Sequence, residues 1–363
     1  MNEQLRATYQ KYKDEFSGTC LITRGLARGS AQGSEVLLSQ ANGLANRDFN
    51  VENTMDTRFD TASVTKTFTA VAILQLVEQG LLHLDNRIHD ILNLKGTAIP
   101  EDVRMEHLLN HTSGIADDAD EEAGEDYAAL FVDQPNYAIR NCADFLPQFA
   151  YKPPLFPAGT NARYNNCAYV LLGMAIEQAT GIDYRSYVAE HIFKAAGMEH
   201  SCFGAKDEVC PNTAEGYFAL RDETGGFVKW KKNIYSHPPI GTADGGALTT
   251  VGDLNRFIHA LKDGALLPWE YVDLIFTPHC RHTRTHRFGI KRQTGYGFHF
   301  LLTRKKIFCI YKDGSNAGVD AVCSYYPALD IGLYMLANQE GPFWDMYREL
   351  QDILLEQFKQ LSQ

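Results

Sequence analysis

The sequence predicts an α/β protein of the α+β type, in which an antiparallel sheet is built from segments near both ends of the chain. Helices flank this sheet, and a large, mainly helical region is inserted between its two halves. Two observations lead to the prediction. Strand-like runs divided by turn residues occur near the start of the chain and again in its last quarter, and the long stretch between them has helical periodicity. Helices inserted between strands of one sheet pack against it in layers.

The first elements are a helix and a hairpin. Residues 1–16, MNEQLRATYQKYKDEF, are charged throughout and lack the apolar centre of a signal peptide, so we expect the first helix of the mature protein and a cytoplasmic location. Residues 16–25 and 35–44 are predicted strands joined by the Gly/Ser-rich turn ARGSAQG. The longest strongly apolar stretch, Phe68 to Val77, is far too short to cross a bilayer. We therefore expect no membrane partner.

The middle of the chain is predicted to be mostly helical. Helices are expected at residues 166–180, 184–196 and 252–261, and Gly181 and Gly197 suit the ends of the first two.

Strands return near the C-terminus, in the runs YGFHFLL, KIFCIYK, AVCSYYP and DIGLYMLAN. A last helix begins behind Pro342 and has one apolar face. That face carries Phe343, Met346, Tyr347, Leu350, Ile353, Leu354, Phe358 and Leu361.

These elements divide the chain into two predicted domains. Residues 1–66 and 286–363 form the sheet domain, and residues 67–285 form the mainly helical domain. Ligand sites are common where two domains meet, so we expect the active site at this seam.

Charge and cysteine content narrow the class of function. The formal net charge is −11, and no cluster of Lys and Arg is interleaved with aromatic residues, which argues against a nucleic-acid partner. The eight cysteines include no C-x-x-C pair, which is typical of reduced thiols in a cytosolic protein. A small-molecule or short-peptide substrate is expected, while the oligomeric state is not predicted.

The segment FDTASVTKTFTAVAILQLVEQG, residues 59–80, combines a buried helix with two reactive side chains. Thr61 and Ser63 suit a helix cap, and the apolar run that follows suits a core. Ser63 and Lys66 are three residues apart, so on a helix they share one face. A serine becomes a good nucleophile when a neighbour takes its proton, and burial lowers the pKa of a lysine enough for this task. The alternative is a capping serine beside a solvated lysine.

Two further segments carry residues that suit such a nucleophile. ARYNNCAYVLLGMAIEQATG places Tyr164 and Asn166 directly before a predicted helix, and FCIYKDGSNAGVDAV places Lys312, Asp313 and Gly314 at the end of an apolar strand. With TRFDTASVTKTFTAVAILQLVEQGLLHLDNRI, these segments resemble the three ordered motifs of the serine β-lactamase and penicillin-binding-protein-like family. The resemblance is close to class C β-lactamases, D-aminopeptidases and related esterases.

Three other segments also resemble this family, and the similarity is nearly continuous from about residue 55 to residue 340. They are HTSGI at 111–115, DGGALTTVGDLNRFIHAL at 244–261 and GYGFHF at 295–300. The resemblance implies a β-lactamase/transpeptidase-like fold and a serine hydrolase without a cofactor.

The resemblance also implies catalytic roles. Ser63 would attack a carbonyl and become acylated, Lys66 and Tyr164 would move its proton to the leaving group, and water would release the acyl group. Asn166 would orient Lys66 and the substrate amide. A tyrosine has a pKa near about 10, so as a base Tyr164 needs nearby cations, which Lys66 and Lys312 would supply.

The segment with Lys312, Asp313 and Gly314, which is the third motif in chain order, implies an oxyanion site. The family takes its two donors from the backbone N–H of the nucleophile and of the residue after Lys-x-Gly, here Ser63 and Ser315. Gly314 would let the substrate approach the strand, and Lys312 would give the site a positive charge. The alternative for Lys312 is a solvent-facing strand residue.

Asp313 departs from the family pattern. β-Lactamases and transpeptidases carry a hydroxyl residue at this position, which helps to bind a substrate carboxylate, and an aspartate there would repel one. We therefore expect an uncharged ester, an amide or a substrate with a free amine rather than penicillin. The acidic run DDADEEAGED, residues 117–126, would favour cations if it lined the entrance, although a solvated loop is the interpretation that such runs favour.

A zinc site is the alternative for HCRHTRTHR, which holds His279, Cys280, His282 and His286. The arginines among these residues favour a cationic loop, and neither H-E-x-x-H nor paired cysteines occur. We predict no metal.

Two functions compete with an esterase or aminopeptidase. The first is a true β-lactamase or D,D-peptidase, against which Asp313 argues. The second is a non-catalytic scaffold that keeps the fold, although this chain retains every motif residue.

Overall fold

The computed structural model describes residues 1–25, 34–285 and 290–361, without the side chains of residues 133 and 281–285. Its strands, in chain order, are β1 Gly18–Arg24, β2 Glu35–Asn42, β3 Leu44–Asn46, β4 Val51–Glu52, β5 Phe59–Asp60, β6 Tyr217–Arg221, β7 Phe227–Lys232, β8 Leu248–Thr249, β9 Cys280–Thr285, β10 Lys291–Thr294, β11 His299–Thr303, β12 Lys306–Asn316, β13 Val319–Tyr326 and β14 Ile331–Ala337.

The α-helices are α1 Asn2–Tyr12, α2 Lys66–Glu78, α3 Ile88–Ile91, α4 Met105–Leu109, α5 Leu130–Asp133, α6 Leu146–Phe149, α7 Cys167–Thr180, α8 Tyr184–Val188, α9 Val251–Lys262, α10 Trp269–Ile275 and α11 Phe343–Leu361. Single 3-10 turns occur at Ala62–Thr65, Glu121–Ala123, Tyr127–Ala129, Asn136–Ala138 and Cys142–Phe145, and a π-helical turn at Ala189–Lys194 continues α8.

The main sheet joins the two ends of the chain. Its eight described strands lie in the order β2-β1-β14-β13-β12-β11-β10-β9, and every neighbouring pair is antiparallel. The N-terminal strand β1 pairs with the C-terminal strand β14, with Gly18 opposite Ala337. The predicted fold class is therefore confirmed, and so is the predicted hairpin of β1 and β2, whose turn at residues 26–33 lies outside the described residues.

Successive side chains along each strand point to opposite faces of the main sheet, and both faces are buried. On β1, Cys20 and Ile22 join a core that includes residues of α1 and α11, whereas Leu21 joins the larger core of the helical region. On β13, Val322 faces the first core and Cys323 the second. Because successive strand residues point to opposite faces, each central strand contributes to both cores. The helical layer is thereby fixed against the face of the sheet that includes Leu21 and Cys323.

Some elements differ from the prediction. The helix expected across residues 59–80 begins as the 3-10 turn that contains Ser63, and the α-helix α2 starts only at Lys66. Thr61 does not cap it, because its hydroxyl donates to the carbonyl of Ala247 at 2.8 Å. Ser63 and Lys66 keep their three-residue spacing, so their side chains still meet.

Several strands have no counterpart in the prediction. The small hairpin of β6 and β7 lies in the region expected to be mostly helical. Strand β9 joins the main sheet, although the predicted helical domain extends to residue 285. The division into two domains stays a prediction. Among the described residues, no helix is long and apolar enough to cross a membrane.

Candidate active site

Ser63 lies in the tight turn between β5 and α2. Ala62, directly before it, has a φ of 43°, a conformation that residues other than glycine rarely adopt. The carboxylate of Asp60 accepts a hydrogen bond from the N–H of Ala62 at 2.7 Å, and Nε2 of His237 contacts its other oxygen at 3.1 Å. The unusual backbone that presents Ser63 is thus held in part by the adjacent Asp60, which is in turn contacted by His237, a residue distant in sequence.

The amine of Lys66 is the buried neighbour of Ser63. Lys66 is 0% exposed, and its Nζ lies 3.1 Å from the Oγ of Ser63. Nζ also donates to Oδ1 of Asn166 at 2.8 Å and to the backbone carbonyl of Asp244 at 2.5 Å. A neutral amine has two hydrogens and one lone pair. When both hydrogens are bound by these carbonyls, the lone pair faces the Ser63 hydroxyl, which is the geometry of a general base.

Burial favours the neutral form of this amine. It lowers the pKa of Lys66 from the ordinary value of 10.5, while the carboxylates of Asp244 and Glu121 act in the opposite direction. The direction agrees with the requirement for a lysine base.

Tyr164 approaches the same serine from another direction. Its hydroxyl donates to the Oγ of Ser63 at 2.7 Å. The Nζ atoms of Lys66 and Lys312 lie 5.2 and 4.9 Å from the centre of its ring. These lysines do not make the phenol acidic, because burial and the charge of Glu121 raise the pKa of Tyr164 well above 10. Tyr164 is therefore a neutral hydrogen-bond donor, and Lys66 is the better base.

Asn166 links the amine to Glu121, a member of the acidic run at residues 117–126. Its Oδ1 accepts from Lys66, and its Nδ2 donates to the carboxylate of Glu121 at 2.9 Å. The backbone N–H groups of Asn166 and Cys167 donate to Asp117 at 2.9 to 3.0 Å. Asp117 thus satisfies free amides at the N-terminus of α7 and fixes the start of the helix that carries Asn166.

Strand β12 passes so close to Ser63 that only a glycine fits at position 314. A Cβ on Gly314 would lie 2.5 Å from the carbonyl oxygen of Thr61 and 2.7 Å from the backbone nitrogen of Ser63. Ser315 follows, and its hydroxyl donates to Asp320 at 2.7 Å. The backbone nitrogen of Ser63 therefore faces the strand segment that carries Ser315.

Lys312 and Asp313 stand together in the same cleft. Lys312 is 3% exposed, so its interpretation as a solvent-facing residue is wrong, and burial lowers its pKa to about 8. Asp313 lies 3.4 Å from the Lys312 ammonium and 3.8 Å from Nε2 of His299. Although burial acts to raise the pKa of Asp313, the positive charges of Lys312 and Arg292 lower it below 3.8. Asp313 is therefore ionised at neutral pH.

The acidic run is not the solvated loop that such sequences favour. Asp117 and Asp118 are 8% and 2% exposed, so that expectation is wrong for the start of the run. Burial raises the pKa of Asp117 to about 6 and that of Asp118 well above 3.8. Glu121 and Glu122, further along, line the cleft beside Ser63. The run contributes both to the support of α7 and to the wall of the site.

The zinc alternative lies partly outside the described residues. Nothing is described of the side chain of His282 or of His286. His279 contacts the carbonyl oxygen of Leu274 at 2.9 Å, and its ring stacks on Tyr296 at 4.0 Å. Donor atoms of Asp117, Asp118 and Cys167 lie within 4.8 Å of one another, but the oxygens of Asp117 already accept the helix amides. The prediction of no metal stays a prediction.

Two cavities meet at Ser63. One, with an empty volume of about 610 Å³, extends toward Asp60, Lys206 and His237, and includes Phe145 and Ile240 in its walls. The other, of about 660 Å³, contains the third motif. Its walls are Ser63, Glu121, Glu122, Tyr164, Arg292, His299, Lys312, Asp313, Gly314, Ser315 and Trp344.

The structure thus gathers Ser63 and every other residue expected at the site around one cleft. It also brings in side chains that the sequence did not identify, among them Lys206, His237 and Arg292. Asp244 and His299 lay inside segments that resemble the family, so the sequence did carry a signal for them.

Comparison with known proteins agrees with this arrangement. A family model described as Beta-lactamase matches residues 20–357. The chain belongs to the beta-lactamase family. A solved penicillin-binding protein from Bacillus halodurans is 34% identical, covers 96% of this chain and 99% of its own, and superimposes with a TM-score of 0.86. The beta-lactamase-family membership and fold expected from the motifs are confirmed, and with them the assignment to a family of serine hydrolases.

Other similar proteins are more distant. Penicillin-binding protein 4 of Amycolatopsis lactamdurans is 32% identical over 63% of this chain and 57% of its own length. The chain spans 57 to 63% of the length of the first curated relatives that it matches. A D-amino acid amidase from Ochrobactrum anthropi SV3, solved with L-phenylalanine, shares the fold at 19% identity and a TM-score of 0.76, covering 100% of this chain and 99% of its own.

Proposed function

We propose that this protein is a serine hydrolase that forms an acyl-enzyme on Ser63 with ester or amide substrates. One observation carries the proposal: the Oγ of Ser63 lies between the buried amine of Lys66 and the hydroxyl of Tyr164, at 3.1 and 2.7 Å. A serine, a lysine with a lowered pKa and a neutral phenol form a complete set for proton transfer at an acyl carbon.

The proposed reaction has two steps. Neutral Lys66 takes the proton of Ser63 as Oγ attacks the carbonyl carbon. The oxyanion is bound by the backbone N–H groups of Ser63 and Ser315, in the narrow space that Gly314 leaves. As the bond to the leaving group breaks, Tyr164 donates its proton to that group and recovers one from Lys66. Water then attacks the ester on Ser63, and the same groups return the enzyme to its starting state.

We further propose that neutral or cationic acyl donors are preferred over carboxylates. The walls of the cavity that contains the third motif carry three carboxylates and two cationic side chains. The carboxylates belong to Glu121, Glu122 and Asp313, and the cations are Lys312 and Arg292. Asp313 is ionised and lies where a substrate carboxylate would otherwise meet Lys312. Esters and amides, including amino acid amides with a free amine of the D-aminopeptidase type, fit this balance of charge.

A true penicillin-binding or β-lactamase activity is the second candidate. The 34% identity to a penicillin-binding protein across almost the whole chain favours it, as do the two cations in the cavity. A scaffold without activity is the third, and the retained proton network argues against it.

The test is covalent labelling of the folded protein. A fluorophosphonate and benzylpenicillin are incubated separately with the protein, and intact mass and the labelled peptide are compared with Ser63→Ala. We expect the fluorophosphonate adduct on Ser63 and no penicillin adduct. Labelling by penicillin, or turnover of nitrocefin, would favour the second candidate. No labelling of Ser63 by either reagent would contradict the hydrolase proposal.

We also propose a cytoplasmic location, which the eight cysteines, all outside disulfides, support. Fractionation of the native host tests it, and the protein is expected with the cytoplasmic marker enzymes.

A further inference from the structure

Two cysteines meet at the base of a loop that borders the active-site cleft. The Sγ atoms of Cys202 and Cys210 lie 3.7 Å apart, and both residues are partly exposed. A disulfide has an S–S length of about 2.0 Å, so the two sulfurs must approach each other by about 1.7 Å to form one. We propose that this pair is an oxidation site, at which a peroxide converts the two thiols into an intramolecular disulfide that is reversed by thiols.

The local structure is built around this contact. A Cβ on Gly204 would lie 2.8 Å from the Sγ of Cys210, so the absence of a side chain at position 204 makes room for the Cys210 sulfur beside Cys202. Cys202 is fixed by two backbone hydrogen bonds with Leu248, at 2.9 and 2.8 Å. Cys210 lies against Arg58, whose guanidinium is 3.8 Å from its sulfur.

The two cysteines differ in reactivity. Burial and the neighbouring Cys210 raise the pKa of Cys202 to about 11, which keeps it a thiol. The thiolate is the form that reacts with peroxide, and Nη1 of Arg58 lies 3.8 Å from the sulfur of Cys210. We therefore assign the first step to Cys210 and the second to Cys202.

The proposed chemistry is balanced. The Cys210 thiolate attacks one oxygen of hydrogen peroxide, the O–O bond breaks, and the products are a sulfenic acid and one water after protonation. The sulfur of Cys202 then displaces the hydroxyl of this sulfenic acid, and the thiol proton leaves with it as a second water. Two thiols are oxidised by two electrons, and one peroxide is reduced.

The cysteine pair is linked to the active-site cleft through the loop between Cys202 and Cys210. Gly204 and Lys206, both within the loop, lie in the wall of the cavity that contains Ser63. The Lys206 ammonium donates to the backbone and side-chain oxygens of Asn233 at 3.2 and 3.1 Å. A disulfide from Cys202 to Cys210 would fix both ends of this loop while leaving Ser63 and Lys66 untouched.

The test uses the folded protein and hydrogen peroxide as the oxidant. We expect titratable thiols to fall from eight to six, the intact mass to fall by about 2 Da, and one peptide to link Cys202 with Cys210. Dithiothreitol is expected to restore all eight. In Cys202→Ser, dimedone should trap the sulfenic acid on Cys210, whereas Cys280→Ser, which removes another partly exposed thiol, should still form the disulfide.

Circular dichroism of each variant establishes that it is folded before oxidation. The proposal is overturned if both thiols stay reduced while other cysteines oxidise, if each cysteine carries a separate adduct, or if the oxidised form resists dithiothreitol. These outcomes do not depend on whether Ser63 forms an acyl-enzyme.

Discussion

The amine of Lys66 lies 3.1 Å from the Oγ of Ser63 while its other two contacts, to Asn166 and to the carbonyl of Asp244, use its hydrogens. In the proposed mechanism, this relationship makes the protonation state of Lys66 the main control on the reactivity of Ser63. Burial lowers the pKa of Lys66 below 10.5, so at any given pH a larger fraction of this amine is neutral than for a solvated lysine.

Replacement of Lys66 is expected to remove both the activity and its rise with pH. In the wild-type protein the rate of Ser63 acylation should increase as Lys66 loses its proton, with a midpoint below 10.5. Lys66→Gln should slow acylation by about 10²- to 10⁴-fold, the usual contribution of a general base, and should flatten the profile. The rate of fluorophosphonate labelling between pH 5 and about 10 measures both effects. Lys95→Gln, at an exposed lysine, is the control, and an unchanged profile in Lys66→Gln would exclude Lys66 as the base.

Tyr164→Phe should affect amides more than activated esters. Tyr164 donates its hydrogen bond to Ser63 and is proposed to protonate the leaving group, and an amine departs poorly without a proton whereas a nitrophenolate does not need one. We expect a loss of about 100-fold or more on an amino acid p-nitroanilide, and a smaller loss on a p-nitrophenyl ester. Tyr137→Phe, at an exposed tyrosine, should change neither rate. Equal losses on both substrates would assign Tyr164 to positioning alone.

Asp313→Asn should improve reaction with β-lactams. The change keeps the shape of the side chain and removes the negative charge beside Lys312. In the variant we expect a benzylpenicillin adduct on Ser63 to form at least about tenfold faster than the detection limit that the wild-type protein does not reach, because a charge change of this kind is worth about 1.4 kcal/mol or more at close range. Intact mass against time measures the rate. Asp207→Asn, at an exposed carboxylate paired with Arg140, is the matched control. An unchanged rate would mean that Asp313 does not govern substrate charge.

Gly314→Ala should destabilise the protein and block acylation together. The added Cβ would lie 2.5 Å from the carbonyl oxygen of Thr61, so β12 and the Ser63 turn must separate. Overpacking of this kind costs about 1 to 3 kcal/mol of the free energy of unfolding. Gly252→Ala in α9 is the control, since its nearest atom would lie at 3.6 Å and alanine favours a helix. Chemical denaturation and fluorophosphonate labelling report the two effects, and a fully active Gly314→Ala would refute the close-approach argument.

Asp320→Asn should change the pH dependence of stability. Asp320 accepts hydrogen bonds from Ser315 and Trp344, and burial raises its pKa to about 6 from 3.8. A raised carboxyl pKa means that the folded protein binds the proton more tightly, so this group's contribution to stability falls as pH rises from about 4 to about 6. The difference in free energy of unfolding, variant minus wild type, should therefore increase across that range by about 1 to 3 kcal/mol and then level off. A constant difference between pH 4 and about 7 would contradict the shift.

Features that depend on local order could be predicted before the structure was known. Strand runs at the two ends of the chain predicted the sheet, because a period of two is visible without any long-range information. The spacing of Ser63 and Lys66 predicted their contact, since a turn of either 3-10 or α geometry brings such residues to one face. The predicted start of the helix was wrong, because α2 begins at Lys66 rather than before Ser63.

The resemblance to a family extended the prediction to residues far apart in the chain. Tyr164 and Lys312, about a hundred and about two hundred and fifty residues beyond Ser63, were expected at the site because they lie in motifs, and both line the same cleft. No local pattern in the sequence required these segments to meet.

The electrostatics of the site depend on how the chain packs in three dimensions. Whether an acidic side chain is solvated or buried depends on what packs over it, so the run at residues 117–126 divided into the buried Asp117 and Asp118 and the cleft-lining Glu121. The same packing raises the pKa of Tyr164 and lowers that of Lys66, which gives the two groups different roles. A pKa depends on desolvation and on charges brought near by folding, and the order of residues along the chain specifies neither directly.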